Sequence, residues 1–79
     1  MSPTEKSNID LYVANRVKEL RKEKKISQLK LATEINVSHS FIGQIEDPNH
    51  RAKYNIMHIN KLAQVFKCSP KDFLPEKAL

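Results

Sequence analysis

The sequence predicts an all-α protein, a compact bundle of five short helices with no strand. Three observations carry that prediction. Apolar residues recur at steps of three and four along most of the chain, the spacing of one helical face. Ser or Asn stands ahead of each apolar stretch, where a side-chain oxygen caps a helix. The 79 residues hold one Gly, with no Asn-Gly pair to turn a hairpin.

Residues 1–6 lack periodicity, contain Pro3 and read as a flexible N-terminal arm. Ile9, Val13, Val17 and Leu20 then form a stripe that predicts a first helix over about 9–24. Ser7 or Asn8 caps its start, and Lys22, Lys24 and Lys25 suit the negative end of its dipole. Ser27 caps a second helix with apolar positions Leu29, Leu31, Ala32 and Ile35. Asn36 ends it, because Asn tolerates the left-handed conformation. Ser38 caps a third helix over 39–46 carrying Phe41, Ile42 and Ile45, and Asp47-Pro48-Asn49 stops it. A polar loop over 47–54 leads to Asn55, the cap of a fourth helix with Ile56, Ile59, Leu62, Ala63 and Phe66 that runs to about 67. Ser69-Pro70-Lys71-Asp72 starts a fifth helix of about one turn, with Phe73 and Leu74, before Pro75. The folded domain is expected over 7–75, with 76–79 a C-terminal tail.

Composition narrows the function. Fourteen Lys and Arg against nine Asp and Glu leave a formal charge of +5, a weak pointer to a polyanionic partner. The single Cys excludes a disulfide framework within the chain and a multi-cysteine zinc site. The longest apolar run, Leu11 to Ala14, is far short of a membrane span or a signal-peptide core. A cytoplasmic protein without a membrane partner is expected. His39, His50 and His58 lie on different predicted elements, and no His or Cys pair has zinc-ligand spacing, so neither metal nor cofactor is expected. Cys68 reads as a small core hydrophobe. A domain of this size leaves little room for a substrate cleft, so neither an enzyme nor a small-molecule binder is expected.

The informative segment is 28–47, QLKLATEINVSHSFIGQIED, which reads as two helices joined by a tight turn. Leu31, Ile35, Val37, Ile42 and Ile45 are its apolar positions, and Ala32 is small where the helices cross. This pattern resembles the helix-turn-helix of the phage-repressor/Cro family, also called the xenobiotic-response-element type. The resemblance continues through Arg16 to Arg21, Ile26-Ser27-Gln28, Val37-Ser38, Ile42 to Glu46, Leu62-Ala63, and Cys68 to Leu74. Asn36 departs from the family's usual Gly at the turn but meets the same backbone need.

The resemblance implies a lambda-repressor-like fold and a sequence-specific, double-stranded DNA-binding transcriptional regulator. Helix 39–46 would lie in the major groove, which admits one helix. Opposite Ile42 and Ile45 it presents His39, Ser40, Gly43 and Gln44 as candidate base readers. Gln44 has the amide that pairs with adenine N6 and N7, while His39 suits guanine, a phosphate or a cap. Gly43 either admits close approach to the groove or is merely tolerated there. Candidate phosphate contacts are Gln28, Ser38, Arg51 and Lys53. By the same resemblance, Arg21 pairs with Glu46 in a structural role. Phe41 packs over the following loop or touches a thymine methyl. Phe73, Leu74, Pro75 and Leu79 either close the core or serve a homodimer. The alternative function is a protein-interaction module, antitoxin-like or adaptor, on the same fold.

Overall fold

A computed structural model describes residues 6–79. In chain order it has α1 (Asn8–Glu23), α2 (Gln28–Glu34), α3 (His39–Glu46), α4 (Ile56–Phe66) and a 3₁₀ turn (Pro70–Phe73). The described residues contain no strand. The expected fifth α-helix is therefore one 3₁₀ turn: four residues between Ser69 and Leu74 close i→i+3 bonds and go no further.

Each start is set by the cap that the residue types anticipate. Ser7 accepts from the Asp10 amide, while the Asp10 carboxylate reaches back, a reciprocal box. Ser27 accepts from Lys30 and Ser38 from Phe41. Asn55 and Ser69 form boxes with His58 and Asp72.

The ends of α1, α2 and α4 share one geometry. Lys25, Asn36 and Lys67 have φ of 58°, 59° and 55°. In each case the next residue's amide returns to the helix: Ile26 to Arg21 at 2.9 Å, Val37 to Ala32 at 2.9 Å, and Cys68 to Ala63 at 3.0 Å. These are Schellman closures. Ile26, Val37 and Cys68, the residues after the left-handed ones, pack against the core.

The core gathers Val13, Ala14 and Val17 of α1, Leu31, Ala32 and Ile35, Ile42 and Ile45 of α3, Tyr54, and Ile59, Leu62, Ala63 and Phe66 of α4. Phe73 from the 3₁₀ turn is fully buried and meets the Phe66 ring edge-on at 6.1 Å. Phe73 thus closes the core, whereas Leu74 and Leu79 stay exposed. Arg16 Nε donates to the Asp72 carbonyl at 3.1 Å and ties that turn to α1. Ala32 of α2 is 1% exposed and belongs to the core. Ile9, Leu29 and Ile56, read as members of apolar stripes, lie instead on the surface. Each sits in the first turn or two of its helix, beyond the edge of the packed core.

Residues 1–5 of the expected arm lie outside the described residues. Lys6, its last residue, is 5% exposed and bound to the main chain after α3, so the folded unit includes it.

Candidate nucleic-acid interface

The local sequence of α3 produces two unlike faces. Ile42 and Ile45, three apart, are both fully buried. His39, Ser40 and Gln44 are exposed on the other side, with Gly43 half-buried beside them. All four predicted readers thus lie on or beside one solvent-facing strip of a two-turn helix. A Cβ built on Gly43 would meet Gln28 Oε1 at 3.7 Å, ordinary contact distance, so the fold itself does not demand glycine.

Ser38 does cap α3: its Oγ accepts from the Phe41 amide at 3.1 Å and lies 3.3 Å from Ser40 Oγ. It remains exposed at the positive end of the helix dipole. Arg51 is exposed in the loop that follows α3. Lys53 is exposed too, but its ammonium lies 3.7 Å from Asp10 Oδ2, on the side of α1. An exposed pair of this length is weak and leaves the lysine free to exchange partners.

Gln28 also has a partner within the fold. It is half-buried, and its Nε2 donates to Glu46 Oε1 at 3.0 Å. The same carboxylate accepts from Arg21 Nε at 2.8 Å and Nη2 at 2.9 Å, with the two side chains 10% and 5% exposed. Arg21 Nη1 donates onward to the Ile26 carbonyl at 2.9 Å. One network therefore joins α1, the start of α2 and the end of α3. Glu46 orients the Gln28 amide.

Phe41 packs against the His58 ring with centroids 5.4 Å apart, and Tyr54 meets the same ring edge-on at 6.0 Å. This trio fixes the loop between α3 and α4. Tyr54 Oη is buried without a hydrogen-bond partner. Burial above all, and then the Glu46 carboxylate, push its phenol well above the usual range. Burial and then Lys61 hold His58 below the ordinary imidazole value. Its Nδ1 accepts from the Asn55 amide at 3.0 Å, which suits the neutral ring. Burial, then Asp72, raise the Cys68 thiol, the condition of an inert cysteine.

Among the described residues no group of three His, Cys, Asp or Glu is placed to hold a metal ion. No described helix is long and apolar enough to cross a membrane.

The profile of a family described as a helix-turn-helix domain matches residues 14–78, most of the chain. The chain belongs to that family. Among solved structures, the helix-turn-helix domain is similar to the restriction-modification controller protein C.AhdI from Aeromonas hydrophila. The two are 26% identical with a TM-score of 0.70, over 81% of this chain and 94% of that one. It is also similar to the c2 repressor of P22 in complex with a synthetic operator: 28% identity, TM-score 0.66, over 82% and 96%. Hydroxypropylphosphonic acid epoxidase from S. wedmorenis matches at 16% identity and TM-score 0.75, over 89% of this chain and 36% of the enzyme, a likeness of fold alone. Comparison with curated proteins gives no match.

Sequence reasoning missed two features of the helix-turn-helix domain: the Gln28–Glu46 bond and the anchoring of Lys6. Both span 18 residues or more, beyond the reach of local pattern. The signal for Lys6 was Pro48, which removes an amide donor where α3 ends.

Proposed function

We propose that this helix-turn-helix domain is a sequence-specific, double-stranded DNA-binding transcriptional regulator that inserts α3 into the major groove. One observation carries the reading: an exposed polar strip of His39, Ser40 and Gln44, on a helix whose other side is anchored by the fully buried Ile42 and Ile45. A helix rigidly held by one face and polar on the other meets the geometric need of base readout. Likeness to a controller protein and to an operator-bound repressor, each covered almost end to end, supports the same reading.

Roles follow from chemistry. The Gln44 amide offers paired bonds to adenine, His39 bonds to guanine or phosphate, and Ser40 and Gly43 allow close approach. Ser38 with the free amides at the start of α3, Gln28 and Arg51 contact phosphate. Lys53 does so after exchanging Asp10 for phosphate. The net charge of +5 favours the encounter. Two copies bind a two-fold operator with half-sites about 34 Å apart. The protein acts without catalysis or cofactor, in the cytoplasm and on the nucleoid.

A second reading, a protein-contact module, is favoured by the adjacent Ile56 and Met57, 84% and 57% exposed at the start of α4. Selection from a random duplex library, with binding measured over a range of salt, separates the two. Enrichment of a two-fold site with a steep salt slope supports regulation through DNA. Absence of binding to any duplex at low salt selects the protein-contact reading. In the selected site, Gln44→Ala relaxes preference at one or two base pairs at a cost of about 1–3 kcal/mol, and Arg51→Ala weakens all sequences alike.

A further inference from the structure

Lys6 is a buried cation that lies outside the reading strip. Its ammonium donates to three main-chain carbonyls: Asp47 at 2.6 Å, Gln44 at 3.4 Å, and His50. An ammonium has three N–H donors and no acceptor, so three carbonyls satisfy it. All three belong to the last turn of α3 or the turn that follows.

The sequence explains why a donor is needed there. In a continuing helix the amide of residue 48 would donate to the Gln44 carbonyl, but Pro48 has no N–H. The Asp47 amide divides itself between Gly43 and Gln44 at 3.1 and 3.2 Å. The amides beyond turn back on Asp47: Asn49 to its carboxylate at 2.9 Å and His50 to its carbonyl at 3.1 Å. Lys6 brings the missing donor from 38 residues upstream of Gln44. Its charge also meets the negative end of the helix dipole. Burial pulls the ammonium below its ordinary pKa, and the carboxylates of Asp47 and Asp10 act in the opposite direction.

An eight-residue helix with a glycine inside does not hold its shape alone. Ile42, Ile45 and Glu46 fix the buried side of α3. Lys6 fixes its end, together with the turn that delivers Arg51. We propose that Lys6 is a positioning residue for DNA reading: its ammonium locks the end of α3 to the 47–50 turn, so that Gln44 and Arg51 engage one duplex together. The proposal rests on the DNA-binding reading of α3.

The test is a double-mutant cycle in the full chain with wild type, Lys6→Met, Arg51→Ala and the double variant. Each is titrated against the duplex selected by wild type at about 50 to 200 mM salt, well below its melting temperature. Lys6→Met is expected to weaken binding about tenfold per folded molecule and to lower the log–log salt slope by about one. Arg51→Ala then adds little in that background, and Lys6→Arg restores most of the affinity. Lys6→Gln, which keeps two donors, replaces the Met variant in the same cycle should the latter fail to fold. A lower melting temperature with unchanged affinity and salt slope, or effects that simply add, would reduce Lys6 to a structural cap and overturn the proposal. Duplex binding by wild type with no effect of Lys6 overturns this proposal alone. Absence of duplex binding by wild type overturns the DNA-binding reading and this proposal with it.

Discussion

Arg21 and Glu46 meet fork to fork, Nε on Oε2 at 2.8 Å and Nη2 on Oε1 at 2.9 Å, and so join the last turn of α1 to the last residue of α3. Both side chains are almost out of water, so each charge depends on the other. Arg21→Met leaves a buried carboxylate with only the Gln28 amide for company. It is expected to lower unfolding free energy by about 3 kcal/mol or more. The Arg21→Met/Glu46→Met double variant removes both charges and should be more stable than Arg21→Met alone. Urea unfolding of the three proteins measures this; equal stability of the single and double variants would count against a coupled pair.

Gly43 lies in a helix interior with negative φ, so no backbone strain calls for glycine there. A methyl group meets only the tip of the flexible Gln28 side chain, at 3.7 Å. Gly43→Ala should therefore stabilise the free protein by about 1 kcal/mol, the helix-propensity difference. If α3 lies close to the groove floor, the same methyl group weakens binding to the selected duplex. Thermal melts and duplex titrations of one variant give both values, and a gain in both would confine glycine to the role of a tolerated residue.

How far sequence carries can be seen in single residues. Ser27, Ser38, Asn55 and Ser69 were legible because a cap is chemistry between a side chain and an amide two or three residues on. The α3 strip was legible because Ile42 and Ile45 set the phase of the helix and leave His39, Ser40 and Gln44 outside. Lys25 and Lys67 were not, since lysine carries no preference for positive φ. What forces them is the apolar residue that follows each: Ile26 and Cys68 are pulled back toward the core, and the preceding residue absorbs the turn. The phosphate role of Gln28 came from the family resemblance, whereas its bond to Glu46 spans 18 residues and is set by tertiary packing, which local pattern does not carry.

Those lysines carry a stability prediction. The left-handed conformation costs an ordinary L residue roughly 1–2 kcal/mol, and Gly returns part of that as unfolded-chain entropy. Lys67 is exposed, so its side chain gives up no core packing. Lys67→Gly is expected to raise stability by about 0.5–1 kcal/mol. Asn36→Gly should gain less, because Asn already tolerates that conformation. Comparison of denaturation midpoints checks the order; a larger gain at Asn36 than at Lys67 would show that backbone strain is not the cause.

His58 gives the fold a pH dependence of stated sign. Its Nδ1 must be unprotonated to accept from the Asn55 amide, while Asn55 Oδ1 accepts from the His58 amide at 2.8 Å. Burial, then Lys61, lower the folded-state pKa below 6.5, the value of a free imidazole. Over the interval between the folded value and 6.5 the unfolded chain binds more protons than the folded one, so stability rises with pH there. Its contribution is complete above 6.5 and is lost as pH falls through the folded pKa. Two other histidines, His39 and His50, are present, so the contribution of His58 is read as a difference between two proteins. His58→Gln retains a residue able to close the box on Asn55 and gives up the ring contacts with Phe41 and Tyr54. The variant should be less stable than wild type near pH 7.5, and the gap should narrow toward pH 5 as the wild-type imidazole becomes protonated. Melting temperatures of both proteins across that interval decide it: parallel curves would mean that the Asn55–His58 cap does not depend on a neutral ring.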